Sequence, residues 1–330
     1  MSNNWTWRER VWAGLDAPKD GLDDRTRETQ GLPLTLRTVP GRDVVQRLVF
    51  EPALKQHHNA YRAADPGFAD PARGEAWRVA RRRALELVLD AIAGSEWAQA
   101  LVLRGSVLMA AWFGEAAREP GDLDFVVVPD TFAITDARAG RMLAGIAAAA
   151  EADGNSEVGF SARDAVIEDI WTYDRVPGRR MVLPWSAPGL PGGHVQLDFV
   201  FNERLAEPPV PVELPGGTLV WAATPALSLA WKLMWLINDM YAQGKDLYDA
   251  VLLAERYPLP HELLHEVFRL SGEWPHAERE HILLADVVQA VGYVEWDHFV
   301  VEYPQLADRE REFVDRLVRA VTPAFDGERL

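Results

Sequence analysis

From Glu75 to about Ala93 the apolar positions Leu85, Val88, Leu89 and Ile92 follow the 3.6-residue period of an amphipathic helix. A short apolar run, Ala100 to Leu103, ends at Arg104-Gly105-Ser106, and Val107 to Phe113 reads as helix. That order predicts a strand, a glycine turn and a helix start. After Arg118-Glu119-Pro120-Gly121, the segment Asp122 to Val128 has the β-branched and aromatic content of a buried strand. Thr135 or Asp136 is placed to cap an Ala-rich helix reaching about Ala152. Further strands are expected over Val166 to Thr172, Arg180 to Leu183 and Val195 to Phe201. Thr224-Pro225 then starts a helix, because threonine caps free N–H groups and proline suits the first turn. That helix should run to Ala242 and stop near Gly244, with another over Asp246 to Glu255. Pro260 to Leu270 and Asp308 to Val321 also read as helical.

These elements imply a mixed α/β (α+β) core over residues 75–205, followed by a helical C-terminal domain over 206–330. Residues 1–74 form an N-terminal extension in which Pro, Gly and Asp are scattered and only Val44 to Phe50 is compactly apolar. A length of 330 residues suits two packed units. With 48% hydrophobic residues, 25% charged residues and 13 Trp, neither would lack a core. The absence of cysteine excludes disulfides, thiolate zinc sites and a cysteine nucleophile. MSNNWTWRER has no apolar signal-peptide region, and no run approaches the roughly 18 apolar residues of a membrane span. A cytoplasmic protein with no membrane partner is therefore expected. The formal charge of -16 disfavours coating of nucleic acid by general electrostatics, although a small or transient nucleic-acid substrate is compatible with it. Arg78, Arg81, Arg82 and Arg83 cluster on a helical stretch, either as a local basic patch or as a solvated face balancing Glu75 and Glu86.

The candidate chemistry lies in acids at strand positions. Asp122 and Asp124 are two residues apart on a strand, so both carboxylates face one side of the sheet while Leu123 faces the core. Two close like charges repel unless a cation lies between them, and carboxylate oxygens suit magnesium. A lone DxD pair is also a common surface feature. Gly105-Ser106 adds a turn at which backbone can approach a phosphate, with the hydroxyl and helix N-terminal N–H groups as donors. Asp198 lies among apolar residues in His194-Val195-Gln196-Leu197-Asp198-Phe199, where a buried carboxylate needs a cation, donors or an exposed edge. As a third metal ligand it would also be placed to accept the proton of an attacking hydroxyl. Lys232 interrupts a helix apolar nearly all round and must meet an anion, either a triphosphate or a structural carboxylate, with Asp239 as an intramolecular competitor. Asp246 is an N-cap or an ion-pair partner, and Arg118 a partner for phosphate or carboxylate, or a solvated loop residue.

Taken in order, Arg104-Gly105-Ser106, Arg118, Asp122-Leu123-Asp124, Leu197-Asp198, Lys232 and Lys245-Asp246-Leu247-Tyr248-Asp249 resemble the AbiEii/AbiGii-type nucleotidyltransferase toxins of the DNA polymerase beta-like superfamily. The similarity covers roughly residues 80–256. It implies a nucleotidyltransferase core with a short mixed sheet flanked by helices, and a helical C-terminal domain closing over a nucleotide. It also implies transfer of a nucleotide from a nucleoside triphosphate to RNA, notably the 3' end of tRNA, by the toxin of a toxin–antitoxin or phage-defence system. The cofactor so implied is magnesium, with manganese as a substitute, and the partner a cognate antitoxin. By the same resemblance Asp122 and Asp124 match the metal pair, Gly105 and Ser106 the triphosphate turn, Lys232 the phosphate lysine and Asp246 an acid of the second-domain motif. Members often carry a second glycine where Ser106 stands. The acidic charge keeps a small-molecule or protein acceptor open, and a non-catalytic nucleotide-binding or antitoxin-like partner protein is a further alternative, against which the retention of Asp122, Asp124 and Asp198 argues.

Overall fold

The structure is a computed structural model that describes residues 16–18, 22–172, 176–276 and 278–328. The chain divides into two compact units: one takes the chain up to Val107 with Glu119–Asn202 and Val212–Trp221, the other Leu108–Arg118, Glu203–Pro211 and Ala222 onward.

In the N-terminal extension, helix α1 (Asp24–Gln30) is followed by four short strands, β1 (Val44–Val45), β2 (Leu48–Phe50), β3 (Tyr61–Ala63) and β4 (Gly67–Phe68). They pair as two small ribbons, β1 with β4 and β2 with β3. The apolar run at Val44 to Phe50 is therefore split between two ribbons rather than forming one strand. Asp70 caps helix α2 (Pro71–Ala93) by accepting from the Ala72 N–H. The helix starts four residues before the periodic pattern does, because Pro71 tolerates the first turn.

The central sheet is built from β5 (Leu101–Arg104), β6 (Asp122–Val127), β7 (Gly159–Phe160), β8 (Val166–Thr172), β9 (Val176–Ser186), β10 (Gly193–Val200), β11 (Val210–Glu213) and β12 (Leu219–Ala222). Its order is β11-β12-β5-β6-β10-β9-β7, with β8 also on β9. β6 and β10 run parallel, whereas β5 on β6 and β8 and β9 on their neighbours run antiparallel, so the sheet is mixed. Side chains alternate across a strand. One face thus collects Leu103, Leu123, Phe125, Met181, Leu183, Val195, Leu197 and Phe199, all buried. Helix α2 lies against β10 on this side and packs with α4 (Ala137–Asp153). Asp136, not Thr135, occupies the N-cap of α4, although its carboxylate accepts from the Ala133 N–H rather than from the first turn. The opposite face carries the charged residues.

The second unit is helical. Thr224 accepts from the Leu227 N–H and so caps α5 (Pro225–Asn238), which ends four residues earlier than expected, with Asp239 at its C-cap. Gly244 does not stop a helix. It begins α6 (Gly244–Arg256), because its missing Cβ lets Phe299 approach to 2.5 Å from where that atom would be. α7 (His261–Ser271), α8 (Leu284–Ala290), α9 (Trp296–Glu302) and α10 (Glu310–Val321) complete it, with α5 packed on α6, α7 and α8.

Candidate active site

The register of the sheet sets the site. Asp124 on β6 is paired with Asp198 on β10 and with Arg104 on β5, while Asp198 is paired with Arg180 on β9 and Arg180 with Glu168 on β8. Five charged residues, Arg104, Asp124, Asp198, Arg180 and Glu168, therefore form one row across five strands on one face. Asp122 lies two residues along from Asp124, opposite Gln196. Within the row the two acids Asp124 and Asp198 are adjacent, and Asp122 adds a third carboxylate beside them. Like charges so placed favour positive charge among them.

Asp122 and Asp124 meet the turn that links β5 to helix α3 (Ser106–Phe113). Gly105 has φ +83°, a left-handed conformation that glycine adopts without strain. A Cβ there would lie 2.3 Å from Asp124 Oδ2, so only glycine lets this carboxylate rest against the backbone. The buried Ser106 Oγ donates to Asp122 Oδ1 at 3.1 Å. One turn thus positions both acids, each half-buried. The donor set suits a divalent cation: magnesium is commonly held by one or two carboxylates together with substrate phosphates and water. Among the described residues no group of three or more His, Asp or Glu side chains is arranged to hold a metal ion by itself.

Asp198, expected as the third ligand, is held in an ion pair. Both its oxygens accept from Arg180, Nε to Oδ1 at 2.8 Å and Nη2 to Oδ2 at 2.8 Å, and the Gln196 amide lies beside the pair. The reason is register, since Arg180 is Asp198's partner on the antiparallel strand. Burial opposes the Arg180 charge, but Asp198 and then Glu51, 3.8 Å away, outweigh it and hold the guanidinium protonated above its ordinary range. This pair offsets part of the cost of burying Asp198 that the sequence raised, although burial still holds the Asp198 carboxyl above its ordinary range.

In the second unit, Lys232 Nζ lies 2.6 Å from Asp246 Oδ1 and 3.3 Å from Asp249 Oδ2. Arg118 grips Asp249 with two bonds, Nε to Oδ1 at 2.9 Å and Nη2 to Oδ2 at 2.7 Å. Of the alternatives open for Lys232 and Arg118, the structure shows carboxylate partners for both. Asp246 is an ion-pair partner, and the N-cap position belongs to Gln243. Although burial opposes its charge, Arg118 and Lys232 hold the Asp249 carboxyl below the usual range.

Arg180, Glu168, Glu51 and Asp249 were not singled out from the sequence. Asp249 stood within the quoted Lys245-Asp246-Leu247-Tyr248-Asp249 motif, at the spacing i+3 that places it on the face of Asp246. Arg180 had no local signal, because its partner is 18 residues away on another strand. The Arg78 to Arg83 cluster is balanced as a solvated face would be: Arg78 and Arg82 pair with Glu75, Arg82 also with Glu119, and Arg83 with Glu86. Arg81 instead turns inward to Asp65 at 2.5 Å and over the Trp77 ring.

The sequence matches the family described as nucleotidyl transferase AbiEii toxin, type IV toxin–antitoxin system, over residues 87–326. Two solved structures are similar in fold. One is the nucleotidyltransferase toxin MenT4 from Mycobacterium tuberculosis H37Rv, with 14% identity, a TM-score of 0.43, and 78% of this chain and 96% of that chain covered. The other is an antigenic nucleotidyltransferase-like protein from Paracoccidioides brasiliensis, with 14% identity, a TM-score of 0.35, and 69% and 93% of the respective chains covered. No curated protein matches the sequence.

Proposed function

We propose that this chain, which belongs to the AbiEii nucleotidyl transferase toxin family of type IV toxin–antitoxin systems, moves a nucleotide from a nucleoside triphosphate to a hydroxyl of RNA, with magnesium held at Asp122 and Asp124. The observation that carries this is the contact of both carboxylates with a single glycine–serine turn at a helix start. In this reading the attacking hydroxyl oxygen loses its proton to water and bonds the α-phosphorus, the bond from that phosphorus to the oxygen bridging to the β-phosphate breaks, and pyrophosphate leaves with the electron pair. A divalent cation held by Asp122 and Asp124 would supply charge neutralisation at the phosphates. Gly105 allows phosphate to approach the turn, and N–H groups at the start of α3 donate to it. Ser106 fixes Asp122. Asp198 is not carried forward as a ligand: its ion pair with Arg180 forms a neutral block that keeps β10 and β9 in place beside Asp124.

In the second unit, Asp246 and Asp249 position Lys232, the residue to which the family resemblance assigns a phosphate, and Asp249 positions Arg118. The 3' end of tRNA is the acceptor implied by resemblance, and an antitoxin protein is the partner implied by a type IV system. The charge of -16 favours a second reading, an acceptor that is a protein or a small molecule. Among the described residues no helix is long and apolar enough to cross a membrane.

The test is incubation with each α-labelled or γ-labelled triphosphate and magnesium, together with total RNA or with lysate proteins. α-Label should enter an RNA band, γ-label should appear only in pyrophosphate, and Asp122→Ala or Asp124→Ala should each abolish transfer without lowering the melting temperature. Full activity in both variants would overturn the assignment, and label in protein alone would favour the second reading.

A further inference from the structure

By strand register the neighbours of Arg180 in the charged row are Asp198 on β10 and Glu168 on β8, all within the first unit. Of these two carboxylates only Asp198 pairs with it. Glu168 accepts from the Leu34 N–H, the Thr35 N–H and Thr35 Oγ1, and lies 2.6 Å from His57 Nε2, so its carboxylate is spent on the N-terminal extension. The extension supplies a carboxylate of its own in return. Leu54 and Ala60 pack on Ile170, two residues along β8 from Glu168, which seats the neighbouring Glu51 against the sheet. Glu51 Oε2 lies 3.8 Å from Arg180 Nη2 and 3.3 Å from Arg62 Nε. Its side chain does not cap the turn over Pro52–Leu54 that it precedes.

Arg62, Glu51, Arg180 and Asp198 therefore form a chain of alternating charge. It starts at the partly exposed Arg62 and ends at Asp198, the register partner of Asp124. Glu51 and Arg180 are both buried, with 5% and 2% of their surface exposed, so solvent screens their interaction little. At 3.8 Å the contact is too long for a hydrogen bond, but a charge pair at that distance is strongly coupled in a buried setting. Burial works against the Arg180 charge, and Asp198 and then Glu51 outweigh it. Without Glu51, two guanidiniums would face the single carboxylate of Asp198. The excess positive charge would then lie beside the acids that a cation needs.

We infer that Glu51 is a positioning residue of the transfer site, the counter-charge that keeps Arg180 on Asp198 without leaving excess positive charge beside Asp122 and Asp124. The inference rests on the reading of those two acids as the cation site. It gives the extension a part in that site, although the family match begins only at residue 87. It also accounts for the way Glu168 is used, because a carboxylate from the extension stands in for the one that the row gives up.

The experiment measures manganese binding by electron paramagnetic resonance, with a non-hydrolysable triphosphate at one saturating concentration and no acceptor present. Glu51→Gln should bind manganese about ten-fold more weakly than wild type, the size expected when one buried charge is removed near a divalent cation. Glu51→Asp, which keeps the charge, should recover most of that loss. Arg62→Gln breaks the same Glu51 contact from its other side but removes a positive charge, so its affinity should equal or exceed that of wild type. A role confined to holding the extension in place would instead weaken both Glu51→Gln and Arg62→Gln. The inference is overturned by wild-type affinity in Glu51→Gln, by equal weakening in Glu51→Gln and Arg62→Gln, or by Glu51→Asp binding as weakly as Glu51→Gln. Those results leave the cation reading of Asp122 and Asp124 standing, whereas a wild-type chain that binds no manganese overturns both.

Discussion

Single residues decide the chemistry here by what they leave out or hold. Gly105 leaves out a Cβ where the Asp124 carboxylate lies, and this contact, rather than the Asp-x-Asp spacing alone, distinguishes the pair from an ordinary surface motif. The charge of His194 depends on the fold: burial, and then the Arg37 guanidinium, pushes its pKa down to about 4. Unfolded, it takes up a proton near pH 6.5, so between these values the unfolded chain binds more protons and folding weakens as pH falls. Lowering the pH from 7 to 4.5 should therefore cost up to about 3 kcal/mol through this group. Urea denaturation of wild type and His194→Gln checks it, the variant showing the shallower loss over that window; identical pH profiles would contradict it. At this scale the sequence was informative where a short local motif marks the residues, as the turn between strand and helix marks Gly105 and Ser106. It was silent on Glu51, in a segment scattered with proline and glycine, and on Arg180, whose partner is fixed by strand register.

Elements with a regular period were the most legible. α2, α6 and α10 fall close to their apolar patterns, and the Thr224-Pro225 signal does cap α5. β9 was recognised only in its middle, because Pro177, Gly178 and Pro184 break a strand pattern that pairing with β8 and β10 restores. The short strands of the extension have two or three residues each and depend on pairing across the chain, so no local pattern announces them. The ion pairs that join α5 to α6 belong to this scale too. Lys232, from a helix of nearly continuous apolar character, neutralises Asp246 and helps to neutralise the fully buried Asp249. Lys232→Met should therefore destabilise the protein by about 3–5 kcal/mol, the cost of leaving a buried carboxylate short of its counter-charge. Chemical denaturation measures this, and a loss below 1 kcal/mol, an exposed-pair value, would show that the carboxylates find compensation elsewhere.

For the molecule as a whole, the family match begins at residue 87, so the extension lies outside the shared region while supplying Glu51, Leu34 and Thr35 to the charged face. The fold class was legible because alternating strand and helix patterns, followed by helices alone, leave few architectures. What covers the open face was not, since that depends on long-range contacts of a segment with no period of its own. In the proposed function Asp122 and Asp124 hold a divalent cation against the Gly105–Ser106 turn. The measurement that reaches it most directly is manganese binding followed by electron paramagnetic resonance, in the presence of a non-hydrolysable triphosphate, for wild type and for the Asp122→Asn, Asp124→Asn double variant. Manganese should bind the wild-type chain and lose about a hundred-fold or more in affinity in the variant, in line with two charged ligands removed; equal binding by the two proteins would rule out a cation held by these acids.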